Sequence, residues 1–298
     1  MANSGNAMDR VDTVIYHTSC NDGFCAAWLC HRHWPEATYI SVQYGQPVPD
    51  FDYINGKNVI IADFSYERDV AYDLWRRANA LIILDHHKTA REELRGLSFC
   101  VFDMNKSGAR LTFEYLKEIG YEHGDPHWLV DYTEDNDLWR HSLPDSREIS
   151  TAISSYPREF EVWDEIATRS PHSIAIEGIA IQRYRNVIIE SHLRYVRVVT
   201  IDGYQAYLVQ CTTSDIGSDL ADCLLKKDPN ISIVIIATDT FDGVVYRLRG
   251  NGTIDVSKIA EAYGGGGHKS SAAFKLPDFC RTSRPLLPFS LSQGAIDG

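Results

Sequence analysis

Short apolar runs alternate with helix-length amphipathic segments over the first part of the chain. Val11–Tyr16, Tyr39–Gln43, Asn58–Ala62, Ala80–Leu84 and Ser98–Phe102 read as strands. Phe24–Trp34, Tyr66–Asn79 and Ala109–Ile119 read as helices between or after them. The strands are apolar at consecutive rather than alternate positions. That is the pattern of a mostly parallel sheet covered by helices on both faces. Residues 126–140 predict a further helix with an acidic end, and 159–196 are helical again, with Ile174–Val198 a long helix handing over to a second domain.

The pattern then restarts. Val198–Ile201, the Asp202-Gly203 pair and Tyr204–Val209 form a hairpin signal, since Asp-Gly suits a primed turn. A helix at Ser218–Lys226, strands at Ile231–Ala237 and Gly243–Arg249, a helix at Val256–Tyr263 and a strand at Ser271–Lys275 complete the order. The expectation is an α/β protein of two domains. A mostly parallel-sheet domain spans residues 11–190, a smaller α/β domain spans 198–277, and residues 1–10 and 278–298 are tails. Neither an internal repeat nor a low-complexity tract is present.

Composition narrows the function classes. At 44% hydrophobic and 11% aromatic the chain has ample material for packed cores. Its net charge of −12 argues against a surface that coats long nucleic acid or anionic membrane, because phosphate neutralisation by Lys and Arg supplies most of that affinity. A small local anion pocket remains compatible with it. Seven cysteines without a CxxC pair, no run long enough to cross a membrane and no basic-then-apolar start lead us to expect a reduced, cytoplasmic protein.

The chemistry sits where strands end. The first strand runs into His17-Thr-Ser-Cys20-Asn21-Asp22-Gly23, the Asn58–Ala62 strand into Asp63, and the Ala80–Leu84 strand into Asp85-His86-His87. Carboxyl ends of strands in an open parallel sheet face a common crevice, so carboxylates and imidazoles arrive together at one edge. A mixed His/Asp set suits divalent ions between zinc and magnesium in hardness, such as manganese, cobalt or iron. Two such ions can clamp a phosphoryl group and ionise a water at neutral pH. Taken singly, Asp85 reads as a helix cap, and His17 and one of the other histidines as turn or core residues. Their coincidence at three strand ends points to metal or anion chemistry.

A second motif, Gly264-Gly265-Gly266-Gly267-His268-Lys269, follows a helix and precedes a strand. Backbone lacking side chains can approach an anion closely, and His268 and Lys269 add donors. A P-loop is excluded by His268 between glycine and lysine and by the reversed order of elements, and the first strand lacks a dinucleotide fingerprint. The bland reading is a flexible turn. Cys25 and Cys30 read as small core residues, Trp28, Trp34 and Trp75 as core, and His31, His33, His123, His127, His141, His172 and His192 as surface or packing residues.

Asp85-His86-His87 after an apolar strand, the Asp22-Gly23 turn, the lone Asp63 and Thr133-Glu134-Asp135-Asn136-Asp137-Leu138-Trp139, taken in this order over residues 11–276, resemble the motifs of the DHH phosphoesterases. The GGGH motif resembles that of the C-terminal domain accompanying this fold. The resemblance implies an active site in the cleft between two domains and a metal-dependent phosphoesterase acting on short oligonucleotides or nucleotides, with Mn2+ the leading ion and Co2+ or Mg2+ alternatives. By position it makes Asp63 a bridging ligand, with His17 at the first metal. Asp22, His86 and a motif-four carboxylate, Asp135 ahead of Asp137, belong to the second. His87 contacts phosphate or leaving group, and Asp85 orients a histidine. Arg249, helped by Arg247, grips phosphate with Gly265, Gly266, Gly267 and His268.

The usual first aspartate of that pattern is absent, and Cys20 or Asn21 stands near its place. The first site therefore has fewer hard oxygen ligands, and the alternatives are weak binding, recruitment of Cys20 as a thiolate, or completion by water or substrate phosphate oxygens. Exopolyphosphatase-like, pyrophosphatase or phosphoadenosine-phosphate phosphatase activity is the alternative within the class, pyrophosphatase being disfavoured by that missing aspartate. A nucleotide-binding sensor with an impaired metal site is the alternative outside it. A homodimer is compatible with the sequence.

Overall fold

The computed structural model describes residues 8, 10–18, 20–121, 127–212, 216–241, 243–277 and 289–291. The chain divides into two compact units, Met1–Gln182 and Arg183–Gly298. Most of the expected tails, together with His123 and Cys280, fall outside the described residues. Among the described residues no helix is long and apolar enough to cross a membrane.

The first unit is built on five strands, β1 Thr13–His17, β2 Thr38–Val42, β3 Asn58–Ala62, β4 Ala80–Asp85 and β5 Cys100–Phe102. All pair in parallel, in the order β2-β1-β3-β4-β5. Successive side chains leave the sheet on opposite faces. Val14, Ile60 and Leu84 enter one core with Phe24, Trp28, Leu116 and Trp163. Ile15, Val59, Ile61 and Ile83 enter the other with Ala71, Leu74 and Leu94. Two-sided burial is why these strands carry continuous apolar runs.

Helices α1 Asn21–His31, α2 Arg68–Arg77, α3 Lys88–Glu93 and α4 Gly108–Glu118 follow or separate the strands. They are succeeded by α5 Trp128–Asp137, α6 Ser146–Ser155, α7 Phe160–Ala167 and α8 Pro171–Leu193. Cys25, Cys30, Trp28 and Trp34 are buried as expected, whereas Trp75 is 39% exposed and stacks its indole on Phe99. The continuous helical signal over 159–196 breaks at Ser170-Pro171, because proline lacks the amide a helix interior needs but fits its first turn.

The second unit holds a mixed sheet. Its strands are β6 Arg197–Ile201, β7 Tyr204–Gln210, β8 Ile233–Thr240, β9 Gly243–Gly250, β10 Gly266–His268, β11 Ser271–Pro277 and β12 Phe289–Leu291, in the order β10-β11-β9-β8-β7-β6-β12. Helices α9 Gly217–Lys227 and α10 Val256–Ala262 complete it. Leu248, Phe274 and Ile259 pack on one face, and Val209, Leu220 and Ile236 on the other. The glycine run is a hairpin arm here: a Cβ on Gly265 would come 2.0 Å from Ala273 O, and one on Gly267, whose φ is +139°, would come 2.6 Å from Ser271 O. Phe289–Leu291, within the expected C-terminal tail, pairs with β6.

Candidate metal centre

Strand order places the site. From β1 the chain moves outward to β2, then returns to the other side of β1 for β3 and continues to β4 and β5. The connections on the two sides of the β1/β3 boundary therefore diverge, opening a crevice at the carboxyl ends of those strands. His17 ends β1, Asp63 follows β3, and Asp85, His86 and His87 end β4.

Asp63 is the meeting point of two donor sets. Its Oδ2 lies 3.5 Å from His17 Nδ1 and accepts from Cys20 Sγ at 3.2 Å, and Cys20 Sγ lies 3.3 Å from His17 Nδ1. Its Oδ1 lies 3.2 Å from His86 Nε2, which is also 3.5 Å from Asp137 Oδ2 and 3.6 Å from Asp22 Oδ2. Asp63 itself has φ +55°, a left-handed conformation tolerated by aspartate, and it packs against Gly108, where a Cβ would fall 2.5 Å from Asp63 Cβ. Gly23 is needed for a similar reason, since a Cβ there would sit 2.3 Å from His17 O.

Local structure fixes each group. Asp22 accepts from Gly108 N at 2.6 Å and Ala109 N at 3.0 Å, placing its charge at the amide-rich start of α4. Asp85 is fully buried and accepts from Ser65 Oγ at 2.5 Å, His86 N at 2.7 Å, His87 N at 3.2 Å and His87 Nδ1 at 2.7 Å. It thereby orients His87 and sets Nε2 as the ring nitrogen available to chemistry. Tyr44 lines the same place, its ring 5.7 Å from His17 and 5.9 Å from His87.

Of the two motif-four aspartates, Asp137 is the one brought to His86. Asp135 is turned into the segment after α5, where it accepts from Ser142 N at 2.9 Å, Ser142 Oγ at 2.6 Å, Leu143 N at 3.3 Å and Ser146 Oγ at 2.5 Å. That network holds three non-glycine residues of positive φ, Trp139, His141 and Asp145, close behind the site. Two residues apart on a helix means about 200° of rotation, so the pair cannot both face the cluster.

The electrostatics suit a cation. Burial, then the charges of Asp63 and Asp137, hold Asp22 well above the usual carboxylate range, and burial raises Asp137 as well. Burial would raise Asp63 too, but the imidazoles of His17 and His86 hold it well below. His86 titrates well above its ordinary value, burial being outweighed by Asp63, Asp137 and Asp22. Burial and the charges of Asp63 and Asp22 keep the Cys20 thiol protonated without a cation. Asp63 Oδ1 is buried and, off alignment with His86, accepts no hydrogen bond among the described residues. Two buried carboxylates, Asp22 and Asp63, and the more exposed Asp137 around one imidazole, with an orphaned oxygen on Asp63, make a donor set that fits divalent metal.

In the second unit, register places His268 opposite Ser271 and Ser271 opposite Arg249, with Ala273 opposite Arg247. Arg247, Arg249 and His268 thus share one sheet face. Arg249 Nε and Nη2 reach Ser218 Oγ at 3.2 and 3.1 Å, and Arg247 Nη1 donates to Thr238 Oγ1 at 3.1 Å. Sequence reasoning missed Ser65, Gly108 and the Ser142–Ser146 network. Only Ser107-Gly108, a helix-start signal, was visible in advance.

Residues 204–285 match the DHHA1 domain family. An uncharacterized protein of Acanthamoeba polyphaga mimivirus is 29% identical over 289 residues, covering 89% of this chain and 67% of that protein. Among solved structures, an exopolyphosphatase-related protein of Bacteroides fragilis aligns over 90% of this chain and 88% of its own at 15% identity and a TM-score of 0.49. A pGpG-specific phosphodiesterase of Vibrio cholerae aligns over 89% and 93% at 14% identity and 0.48.

Proposed function

We propose that the chain, whose residues 204–285 match the DHHA1 domain family, is a member of the DHH phosphoesterase superfamily and a divalent-metal-dependent phosphohydrolase. Its substrates in this reading are phosphodiester or phosphate-ester bonds of short oligonucleotides or nucleotides, with Mn2+ the leading ion. The observation that carries the proposal is Asp63 at the β1/β3 switch point, one carboxylate oxygen facing His17 and Cys20 and the other facing His86.

His17, Cys20 and Asp63 would hold one ion, and Asp22, Asp63, His86 and Asp137 the other. Bound there, such ions supply Lewis acidity to phosphoryl oxygens and bring a water toward ionisation at neutral pH. The chain's own groups do the rest. Burial disfavours the His87 imidazolium, but the Asp85 carboxylate outweighs it and raises its pKa, so Nε2 carries a proton for the departing oxygen. Arg247, Arg249 and His268 form a row of donors in which the guanidinium groups suit bidentate recognition of a phosphate, and we assign it to substrate. A net charge of −12 fits small substrates better than polymers.

The test is a panel of di- to decanucleotides, cyclic dinucleotides, phosphoadenosine phosphate, pyrophosphate and polyphosphate, with initial rates compared between wild type and His87→Ala in Mn2+. Short-nucleotide turnover lost in the variant is the expected result. Fastest turnover on polyphosphate would replace the substrate class, and nucleotide binding without any turnover would replace the enzyme by a sensor.

A further inference from the structure

Sulfur is a poor helix cap. Cys20 occupies the N-cap of α1, its Sγ accepting from Gly23 N at 3.2 Å, a position that Ser, Thr, Asp or Asn hold better. Capping therefore does not explain a cysteine here. The donors around it do. Sγ, His17 Nδ1 and Asp63 Oδ2 form a triangle with sides of 3.2, 3.3 and 3.5 Å. A tetrahedral ion with bonds of about 2.3 Å to sulfur and 2.0–2.1 Å to nitrogen and oxygen has donor–donor edges of roughly 3.3–3.6 Å. The triangle matches one face of that tetrahedron to within about 0.4 Å. Three protein donors and an open fourth corner is the arrangement of catalytic zinc sites. An octahedral magnesium site, by contrast, has cis edges of about 3.0 Å and takes oxygen rather than sulfur.

The neighbouring set is harder. Near His86 Nε2 stand carboxylate oxygens from Asp63 at 3.2 Å, Asp137 at 3.5 Å and Asp22 at 3.6 Å. We infer that the cluster is two unlike sites. His17, Cys20 and Asp63 select a thiophilic, four-coordinate cation of the zinc or cobalt type through the Cys20 thiolate, while the His86 set takes a harder ion such as manganese. The inference rests on the proposed metal-binding reading and deepens it by fixing the metal class of one half. On binding, the Cys20 Sγ–H bond gives way to a metal–sulfur bond and the proton leaves to solvent.

Cobalt titration of the full chain tests this, read by absorption rather than turnover. Wild type should show a near-ultraviolet sulfur-to-cobalt charge-transfer band and the strong visible bands of tetrahedral cobalt. Cys20→Ser, which keeps a good cap, should lose the near-ultraviolet band and bind cobalt or zinc at this site at least about tenfold more weakly. Its manganese binding, read by electron paramagnetic resonance, and its thermal melt should stay as in wild type. Cys100→Ser should keep the band. Cobalt bound without a charge-transfer band, or a band surviving in Cys20→Ser, would overturn the inference alone. Failure of both ions to bind would overturn the metal reading and the inference with it. A Cys20-dependent band in a protein that hydrolyses nothing would uphold the inference and overturn the hydrolase.

Discussion

Replacing Asp85 by asparagine removes one buried charge while keeping the side chain's shape. Asp85 holds His87 Nδ1 at 2.7 Å and has no exposure to solvent. Asparagine's carbonyl can still serve the His86 and His87 amides, but the imidazolium loses its charged partner. A hydrogen bond to a charged group contributes about 1.5–3 kcal/mol. At about 1.36 kcal/mol per pKa unit that lowers His87 by roughly 1–2 units. In the wild type burial acts against the charged ring, yet Asp85 prevails and the pKa is raised. If His87 donates the proton, activity is present below its pKa and lost as pH rises through it. Asp85→Asn should therefore move the alkaline limb of the pH–rate profile down by about 1–2 units. Turnover above both limbs should fall about 10- to 100-fold. The assay is initial rate against pH on a nucleotide ester and on an activated aryl phosphodiester, whose better leaving group should blunt the loss. An alkaline limb unmoved in the variant would refute the acid role. Stability follows the same sign: the raised His87 stabilises the fold below its unfolded pKa, and the lowered Asp85 does so above about 3.9. Their joint contribution occupies the window between, and the variant should lack it in thermal melts.

Asp135→Ala should strand the donors of Ser142, Leu143 and Ser146 and destabilise by about 1–3 kcal/mol in denaturant melts. Asp137→Ala should leave the metal-free melt unchanged or slightly higher, but weaken manganese binding at least about tenfold in resonance titrations. Gly108→Ala forces a Cβ against Asp63 and should cost about 1–3 kcal/mol together with manganese affinity; a neutral variant would show that the close approach is dispensable. His127 caps α5 through Nδ1, accepting from Leu129 N at 3.2 Å, and burial lowers its pKa. The neutral cap contributes fully above the unfolded value of about 6.5 and is lost on acidification, so His127→Asn should flatten the fall in melting temperature between about pH 7.5 and 5.5.

The parallel sheet was legible because both its faces are covered, which turns strands into unbroken apolar runs, and because each run delivers its polar residues at the carboxyl end. Helix α6 was not: Ser146–Ser155 carries four serines, and only the burial of Ile149, Ala152 and Ile153 makes it helical. The three-residue strands β10 and β12 are too short to carry a period. At the site, His17, Cys20, Asp22, Asp63, Asp85, His86 and His87 could be read as strand-end chemistry. Choosing between Asp135 and Asp137 required knowing which side of α5 faces the sheet, and Ser65 reaches Asp85 only through tertiary packing. The glycines of the C-terminal motif illustrate a different limit: their sequence speaks for anion binding and for close hairpin packing alike, and the packing is what the backbone displays.

The most direct measurement is release of phosphate or mononucleotide from short oligonucleotides by wild type and Asp63→Asn, in Mn2+ and after chelation with EDTA. Asp63 joins both donor sets, so release by wild type in Mn2+, abolished by either EDTA or the substitution, is the predicted result. Release that survives chelation or the loss of the Asp63 charge would contradict the account.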